Sequence, residues 1–419
     1  MRLPRGVVES GQQREEVAMT DMAVGHDITV EDLERDPFPI YAHLRSEAPV
    51  CYIPAVDLWF ITRWSDVRNA GQDALHFPAA MLNSPLDRTL GGCSVLTVDG
   101  ADHQKLRAPM DGELRPRQLE MHAHATVTRI ANELLDNLAR VGCADLMSTY
   151  CEPLAVLSLA EVIGLRGLDV DTLRRWFHDI AGGTSNYEGD IVKQRLADAT
   201  SAEVDRRLVA QFEELLANPD GSMVSDMLHA GTGDLSSRMQ SFMPTLKLAL
   251  IGGLQEPGHG LATTLFGLLS HPQQLAAVRA DPDNLIRRAI DEGIRWVSPI
   301  GTQGRAAASG AQMRGVEIPE GANVGLIVQS ANRDEEVWGP SAGEFDISRP
   351  AHASAVFGFG AHNCVGQHLA RIQMRVGLRL VLERLPNLRL DASRPVRYSG
   401  WEYRGPVHMH VRWDAGQSL

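Results

Sequence analysis

The stretch FGFGAHNCVGQHLAR, residues 357–371, places a single cysteine in a glycine-rich loop before an amphipathic segment. Its pattern is F-G-x-G-x-H-x-C-x-G, with the cysteine at position 364. The glycines would let the backbone approach a flat ligand closely. Amide N–H groups of the loop and of the following helix N-terminus would stabilise a Cys364 thiolate, which can be an axial ligand of haem iron. The simpler alternative is a buried free cysteine.

The segment LALIGGLQEPGHGLATTLFGLL, residues 248–269, has the apolar ends of a buried helix and a polar, glycine-containing middle. Pro257 cannot donate a backbone N–H, so the carbonyl of Gly253 would lose its helical partner and the helix would kink or open a groove. Burial there would raise the pKa of Glu256, which could then carry a proton near neutral pH. Glu256 could instead bind a polar group of a substrate, or point elsewhere within a kinked core helix. His259 is predicted to be a packed or surface histidine rather than a proton relay.

Two further pairs of polar residues have helical spacing. His103 and Arg107 in ADHQKLRAPM are four positions apart, so both side chains would lie on one helix face and could reach one carboxylate of a ligand. Glu292 and Arg295 in EGIRW are three apart and could form an ion pair. Taken alone, each pair is also typical of an exposed helix surface, where such an ion pair contributes only a few tenths of a kcal/mol.

The elements that must position these residues belong to an acidic chain of 419 residues with 44% hydrophobic residues, enough for a large core. The net charge of −13 argues against a nucleic-acid partner. No apolar run reaches the roughly 18 residues of a membrane span, and residues 1–27 contain no apolar core of signal-peptide length. The five cysteines include no C-x-x-C pair, which is typical of reduced thiols in the cytoplasm.

Apolar spacing of three to four residues predicts helices over most of the chain, including 104–217 with breaks at Gly142, Gly164 and Gly182-Gly183. Short alternating stretches predict small β pieces, among them a closing strand pair in GWEYRGPVHMHVRW. No linker divides the chain. We therefore expect a disordered extension over residues 1–27 and one domain over 28–419.

Together these motifs resemble the cytochrome P-450 family of haem-thiolate monooxygenases, and the resemblance covers essentially all of the chain after residue 28. It implies a mostly α fold with small β-sheets, in which a single triangular domain holds haem b between the long central helix and the cysteine loop. It implies Cys364 as the metal ligand and Arg349 as a third member of the Glu292–Arg295 pair. The other residues that it places around the haem are Phe357, Gly358 and Gly366 in the loop, and His103, Arg107, Arg305 and His362 at the propionates.

In this family the central helix usually carries A/G-G-x-D/E-T, whose acid and threonine manage protons for bound dioxygen. Residues 252–256 of this chain, GGLQE, align with that pattern. The catalytic candidates are therefore Gly253, Gln255 and Glu256, with the glycines leaving room for dioxygen. The chain departs from the pattern at two positions, because Gln255 replaces the acid and Glu256 replaces the threonine.

The segments LQEPGHG, STYCEP, EGIRWVSP and GWEYRGP resemble the bacterial guaiacol O-demethylase group within this family. That resemblance implies a small methoxyphenol substrate. Two positions that are phenylalanine in the guaiacol enzyme read Leu90 and Thr184 here, which predicts a roomier pocket and a bulkier substrate, such as a 4-alkylguaiacol. The predicted substrate-binding residues are Leu90, Leu96, Thr184, Leu248, Ile251, Gly252, Ile300 and Tyr403.

The chain has no flavin fingerprint and no iron–sulfur cysteine cluster. The resemblance therefore implies that NADH-derived electrons come from a separate iron–sulfur flavoprotein reductase, with dioxygen as the oxidant. Three alternatives stay open: another small-molecule hydroxylase of the family, a peroxide-driven enzyme, and a haem-thiolate protein that binds or senses without turnover.

Overall fold

A computed structural model describes residues 24–415. The first half of the described chain is mostly helical and also contains three short strands. Its helices are α1 (Val30–Arg35), α2 (Phe38–Glu47), α3 (Trp64–Gln72), α4 (Pro85–Leu90), α5 (Gly100–Glu113), α6 (Pro116–Leu138), α7 (Glu152–Ile163), α8 (Val170–Thr184) and α9 (Ile191–Ala217). A π-helical turn, Met147–Cys151, leads directly into α7.

The helices of the second half are α10 (Met223–Ala230), α11 (Leu235–Leu254), α12 (Glu256–Ser270), α13 (Pro272–Ala280), α14 (Pro282–Trp296), α15 (Val328–Ala331), α16 (Glu335–Trp338) and α17 (Gln367–Arg384). Of these, α10, α11, α12, α14 and α17 contribute residues to the cavity described below. Within residues 24–415, no helix combines the length and the apolar character needed to cross a membrane.

The strands form small sheets, and the sequence-based prediction of a mostly α fold with small β-sheets is confirmed. The strands are β1 (Val50–Ile53), β2 (Leu58–Ile61), β3 (Cys143–Asp145), β4 (Thr302–Ala306), β5 (Gln312–Met313), β6 (Val316–Glu317), β7 (Asn323–Ile327), β8 (Arg389–Leu390), β9 (Arg397–Ser399), β10 (Gly405–His408) and β11 (His410–Arg412). The largest sheet has the order β1-β2-β7-β4.

The closing segment was expected to form a strand pair, and this expectation is wrong. Strand β10 pairs with β9, whereas β11 pairs with β3 and β8. The two strands are separated by Met409 alone, which is too short a connection for a hairpin turn. Each strand therefore takes its partner from elsewhere in the chain.

Of the predicted helix breaks, Gly164 ends α7 in the left-handed region at φ +90°, and Gly142 separates α6 from β3. The expected break at Gly182-Gly183 does not occur, because α8 continues through it to Thr184. Gly183 instead lets α9 approach α8 closely, since a Cβ at this position would lie 2.3 Å from the Cβ of Ala197.

The predicted disordered extension lies outside the described residues up to residue 23. Residues 24–27 were included in that prediction, but the structure places them against β1. Val24 packs on the small core around this strand, and a Cβ on Gly25 would lie 2.0 Å from the Tyr52 carbonyl oxygen. Residues 24–27 are therefore packed on the domain, although the prediction assigned them to the extension.

The largest apolar core lies beneath helices α6 to α14 and α17. Helix α12 is central in it and packs against α7, α14 and α17. The cysteine loop, residues 357–366, precedes α17 on the other side of a cavity from the α11–α12 junction. The core thus holds the two predicted site segments on opposite walls of one internal space.

Candidate active site

The cysteine loop is folded by its own hydrogen bonds. The Cys364 N–H donates to the Phe357 carbonyl at 2.8 Å, and the Asn363 side-chain amide donates to the carbonyls of Phe357 and Gly358. Gly358 has φ +70°, and a Cβ there would lie 2.2 Å from the side-chain nitrogen of Gln303. The sequence reasoning did not select Asn363, although it lies next to the cysteine within the motif.

Cys364 lines the cavity and is exposed to it. Burial raises the pKa of the Cys364 thiol, while the Gly366 backbone N–H and the Arg107 guanidinium act in the opposite direction. The Gly366 amide group thus acts on the thiol in the expected direction, but desolvation is the larger effect in the protein alone. A metal cation at the sulfur would supply the missing charge stabilisation.

The opposite wall of the cavity is the junction between α11 and α12. The helix is interrupted at Gln255, whose φ and ψ are −115° and −34°, and Glu256 and Pro257 begin the new helix. The predicted kink is confirmed, since Pro257 cannot continue the hydrogen-bond ladder. The space between this junction and Cys364 that is free of protein atoms, including its opening, is about 1640 Å³.

Cationic and imidazole side chains meet at one side of the cavity. The rings of His103 and His362 are in edge-to-face contact, with centroids 4.5 Å apart. His362 Nε2 lies 2.8 Å from Asp99 Oδ1, and Arg107 donates to the Asn363 carbonyl at 3.0 Å. The structure thus brings together His103, Arg107 and His362. Asp99, which the sequence reasoning missed, immediately precedes α5 and holds His362.

Two buried nitrogen atoms in this cluster lack an acceptor. Arg305 Nη2 and His103 Nε2 find no hydrogen-bond partner among residues 24–415. Burial lowers the pKa of Arg305, and Asp99 partly offsets this effect. Buried donors without acceptors are costly, so this side of the cavity is built for an anionic group of a ligand.

The cavity therefore suits haem. A thiol on one wall, donors for carboxylates at one side and apolar walls elsewhere match an iron porphyrin with two propionates. Cys364 would hold the iron, while His103, Arg107, Arg305 and His362 would hold the propionates. Phe357, Gly358 and Gly366 belong to the loop beside it.

Comparison with known proteins leads to the same conclusion. The family model for cytochrome P450 matches residues 251–392. Cytochrome P450 107B1 of Saccharopolyspora erythraea is 30% identical over 376 residues, which cover 84% of this chain and 88% of that protein. The chain belongs to the cytochrome P450 family. The 6-deoxyerythronolide B hydroxylase of the same organism is 28% identical over 92% of this P450 and 99% of the relative.

Solved structures support the P450 fold. CalO2 superposes with a TM-score of 0.82 at 25% identity, over 93% of this chain and 98% of that one. CxnD, the P450 enzyme for C–S bond formation in chuangxinmycin biosynthesis, gives a TM-score of 0.84 at 24% identity, over 93% and 97% of the two chains.

The E-x-x-R pair of this P450 is a buried network. Arg295 donates to both oxygens of Glu292 at 2.7 and 2.8 Å, and Arg349 Nε lies 3.3 Å from Glu292 Oε1. Arg295 also donates to three backbone carbonyls, so its charge is fully satisfied. The residues that the resemblance joined are therefore in contact, and they fix α14 to the segment before the cysteine loop.

Glu256 lies in the cavity wall and is buried. Neither of its carboxylate oxygens accepts a well-formed hydrogen bond from any residue that the structure describes. Burial raises the pKa of Glu256 to about 8, and the backbone N–H groups of Glu256 and Gln255 oppose this only weakly. The carboxyl group is therefore protonated at neutral pH and faces the P450 cavity.

Gln255 was predicted to be catalytic, but its side chain turns away from the cavity. It donates to Glu152, a buried residue of α7 that the sequence reasoning did not select. Glu152 accepts from Arg174 at 2.6 Å and lies 3.8 Å from the half-exposed His178. Gln255 thus joins a polar chain that leads from behind the helix break to the surface.

Most predicted substrate-binding residues line the cavity. They are Leu96, Leu248, Ile251, Gly252, Ile300 and Tyr403. Leu90 and Thr184 do not, which corrects the prediction for both. Leu90 is buried at the end of α4, and the Thr184 hydroxyl lies 3.0 Å from the hydroxyl of Tyr403, which itself lines the cavity. Their small side chains therefore do not enlarge the pocket.

Burial shifts the pKa of two further residues of this P450, His259 and Glu402. His259 is buried, as expected for a packed histidine, and burial lowers its pKa to about 3. Glu402, which the sequence reasoning passed over beside Tyr403, lines the cavity, and burial raises its pKa to about 8. The cavity wall thus holds a second carboxyl group that is neutral at pH 7.

The two glycines of the central helix provide a matched test. A Cβ on Gly252 would meet open cavity, whereas a Cβ on Gly253 would lie 2.9 Å from Leu159 Cδ2. Both glycines line the cavity, but only at Gly252 would an added Cβ point into free space. We expect Gly253→Ala to be less stable than Gly252→Ala by about 1–3 kcal/mol, because only the methyl group at position 253 would displace Leu159. Gly252→Ala should be at least as stable as the original chain, since alanine favours a helix more than glycine does. It should weaken substrate binding, which substrate-induced shifts of the haem absorbance measure, while urea unfolding measures stability. Equal losses of stability in both variants would contradict this geometry.

The raised pKa of Glu256 makes stability depend on pH. Because the folded protein holds this proton more tightly than the unfolded chain, the contribution is most favourable below the ordinary carboxyl pKa and is lost as pH rises to about 8. At pH 9, Glu256→Gln should therefore be more stable than the original chain, by at most about 5 kcal/mol. At pH 4.5 it should not be more stable. Thermal unfolding across this range, with the exposed-site variant Glu320→Gln as control, measures the effect. A difference that does not change with pH would contradict the assignment.

Proposed function

We propose that this P450 is a monooxygenase that removes the methyl group of a methoxyphenol, giving a catechol and formaldehyde. The reaction takes one dioxygen, two electrons and two protons, and it also releases one water. Haem with a thiolate ligand supplies the oxidant that removes hydrogen from the methyl carbon. We propose that the electrons come from NADH through a separate iron–sulfur flavoprotein reductase.

The observation that carries the proposal is the neutral carboxyl of Glu256 on the cavity wall, at the position where the family pattern has threonine. Neither oxygen is committed to a partner within the described chain, so the group is free to donate to a bound ligand or water. A proton held there is available for the oxygen chemistry at the haem. The motif that contains it, QEPGHG, is the one that resembles the O-demethylase group.

The other walls favour a small aromatic ligand. Apolar side chains of α11 and of the segment before β4 line the cavity, and Tyr403 adds an aromatic ring beside them. The ring of Tyr403 is held in place by the Phe177 ring, at 6.0 Å between centroids, and by the Thr184 hydroxyl. A flat ring would bury its faces against these groups and present its polar edge to a carboxyl.

A second candidate is hydroxylation of a larger apolar molecule. The relatives reported above include the 6-deoxyerythronolide B hydroxylase, and the Mycinamicin IV hydroxylase/epoxidase of Micromonospora griseorubida is 29% identical over 390 residues. In this case Glu256 and Glu402 would bind hydroxyl groups of the substrate.

The test is reconstitution of the haem-loaded protein with an NADH-dependent iron–sulfur flavoprotein reductase and a panel of ligands. The panel holds guaiacol, 4-propylguaiacol, phenol and a macrolide aglycone. We expect formaldehyde and catechol in equal amounts, matched to NADH consumed, for the methoxyphenols. Hydroxylated aglycone without formaldehyde would overturn the proposal in favour of the second candidate.

Two additional arms separate the remaining possibilities. Replacing reductase and NADH with hydrogen peroxide identifies a peroxide-driven enzyme if product forms at an equal rate. NADH consumption that no ligand stimulates would instead indicate a binding protein without turnover. Glu256→Thr and Glu256→Ala should lower the product formed per NADH, and unchanged coupling in both variants would remove the proposed role of this carboxyl.

A further inference from the structure

A group of potential metal ligands lies on the surface at a different place from the haem cavity. Asp145 ends β3, His408 ends β10 and His410 begins β11. Each offers one ligand atom, and the three atoms lie within 4.8 Å of one another. Two imidazoles and one carboxylate are the donors that borderline divalent cations such as Zn²⁺ prefer.

The backbone fixes the relative positions of the three residues. His410 stands directly opposite Asp145 in the antiparallel β3–β11 ladder. His408 is two residues before His410, so in an extended chain both side chains project from the same face. Their rings stack with centroids 5.6 Å apart and an interplanar angle of 22°. Because strands rather than a long loop hold the donors, little conformational freedom would be lost when a cation binds.

The carboxylate is also oriented before any cation arrives. Asp145 Oδ1 accepts from the Met409 N–H at 2.8 Å and from the Met147 N–H at 3.1 Å. Its Oδ2 lies 2.8 Å from His408 Nδ1 and accepts from the Ser148 hydroxyl at 3.1 Å. Hydrogen bonds of this kind to a ligand carboxylate are the usual outer support of a metal site.

The spacing suits coordination. Two ligand atoms at about 2.1 Å from one ion in a tetrahedral site are about 3.4 Å apart. The 2.8 Å between Asp145 Oδ2 and His408 Nδ1 is shorter than this, so a small outward movement of the exposed His408 ring would make room for the ion. A simple histidine–aspartate ion pair would explain that contact alone, but it would not need His410 beside it. The His408 side chain is 64% exposed, so a hydrated cation can reach the group.

We propose that Asp145, His408 and His410 form a binding site for a zinc-like divalent cation, with the remaining positions taken by water. The bound ion would fasten β11 and the end of β10 to β3, and thus to the π-helical turn that begins at Met147. The site would be structural, and it is independent of the proposed O-demethylation.

The test uses the full-length, tag-free, haem-loaded protein after chelator treatment. Equilibrium dialysis against Zn²⁺, with metal content measured by mass spectrometry, gives the affinity for Zn²⁺. We expect this affinity to be at least about tenfold lower in each of His408→Asn and His410→Asn than in the original chain. His122→Asn, at an exposed position of α6, is the matched control and should bind like the original chain. Zn²⁺ should also raise the unfolding temperature of the original chain and of the control, since it binds only the folded state.

Asparagine at either position retains a polar side chain, so we expect both variants to fold. Haem absorbance and circular dichroism test whether they do. Equal Zn²⁺ affinity in the two variants and the control would overturn the proposal. So would binding of Zn²⁺ no tighter than that of Mg²⁺, which prefers oxygen donors.

Discussion

Replacing Cys364 with serine is expected to lower product formation by roughly 100-fold or more, because the axial ligand itself is lost, whereas loss of outer support alone costs about 10–100-fold. Cys364 faces the cavity, and its backbone N–H, not its side chain, closes the loop on Phe357. The loop should therefore keep its fold when the sulfur is removed. The measurements are turnover with the reductase and the absorbance of the reduced carbon monoxide complex, which reports the axial ligand.

The matched control is Cys143→Ser, since Cys143 is exposed on β3, away from the haem cavity. This variant should retain the original spectrum and rate. A Cys364→Ser protein with the same spectrum as the original chain would show that another residue binds the iron.

Replacing Glu292 with alanine is expected to destabilise the fold by about 3–5 kcal/mol, because it leaves two buried guanidinium groups without their anion. Arg295 would lose both of its carboxylate bonds, and Arg349 would lose its contact at 3.3 Å. The Asp346 N–H would also lose its acceptor. Denaturant unfolding followed by circular dichroism measures the loss, and haem absorbance should fall in the same range of denaturant concentration.

Glu133→Ala provides the comparison, since Glu133 pairs with Arg129 on the exposed face of α6 at the helical spacing of four residues. An exposed pair of this kind contributes only about 0.3–0.5 kcal/mol. Similar losses in the two variants would mean that the Glu292 network is not a buried unit.

The sequence was most informative where local chemistry is unusual. The cysteine loop, the E-x-x-R pair and the proline-interrupted helix were all located from residue types and spacing. In each case the requirement is local, because proline lacks an N–H, glycine permits φ near +70°, and three-residue spacing brings two helical side chains together. The family resemblance then joined Arg349 to Glu292, a contact that spans 57 residues of sequence.

The direction of each side chain was not available from the sequence. Gln255 and Glu256 are neighbours, yet one turns to Glu152 and the other faces the cavity, because the helix break at Gln255 resets the angle between them. Leu90 and Thr184 aligned with pocket positions, but packing of α4 and the Tyr403 hydroxyl places them behind the wall. A pairwise alignment shows which residue type occupies a position. Whether that residue lines a cavity depends on all the elements that surround the cavity.

The sequence alone therefore determined the fold class, the cysteine that we expect to hold the iron, and the residue that departs from the family pattern. The tertiary structure decided at which of two adjacent glycines a side chain would meet free space, which carboxyl groups have a raised pKa, and which strands pair at the end of the chain. The physical reason is the distance along the sequence over which each interaction acts. Backbone conformation and helical spacing are set by neighbouring residues, but desolvation, steric contact and strand pairing are set by residues far away in the sequence.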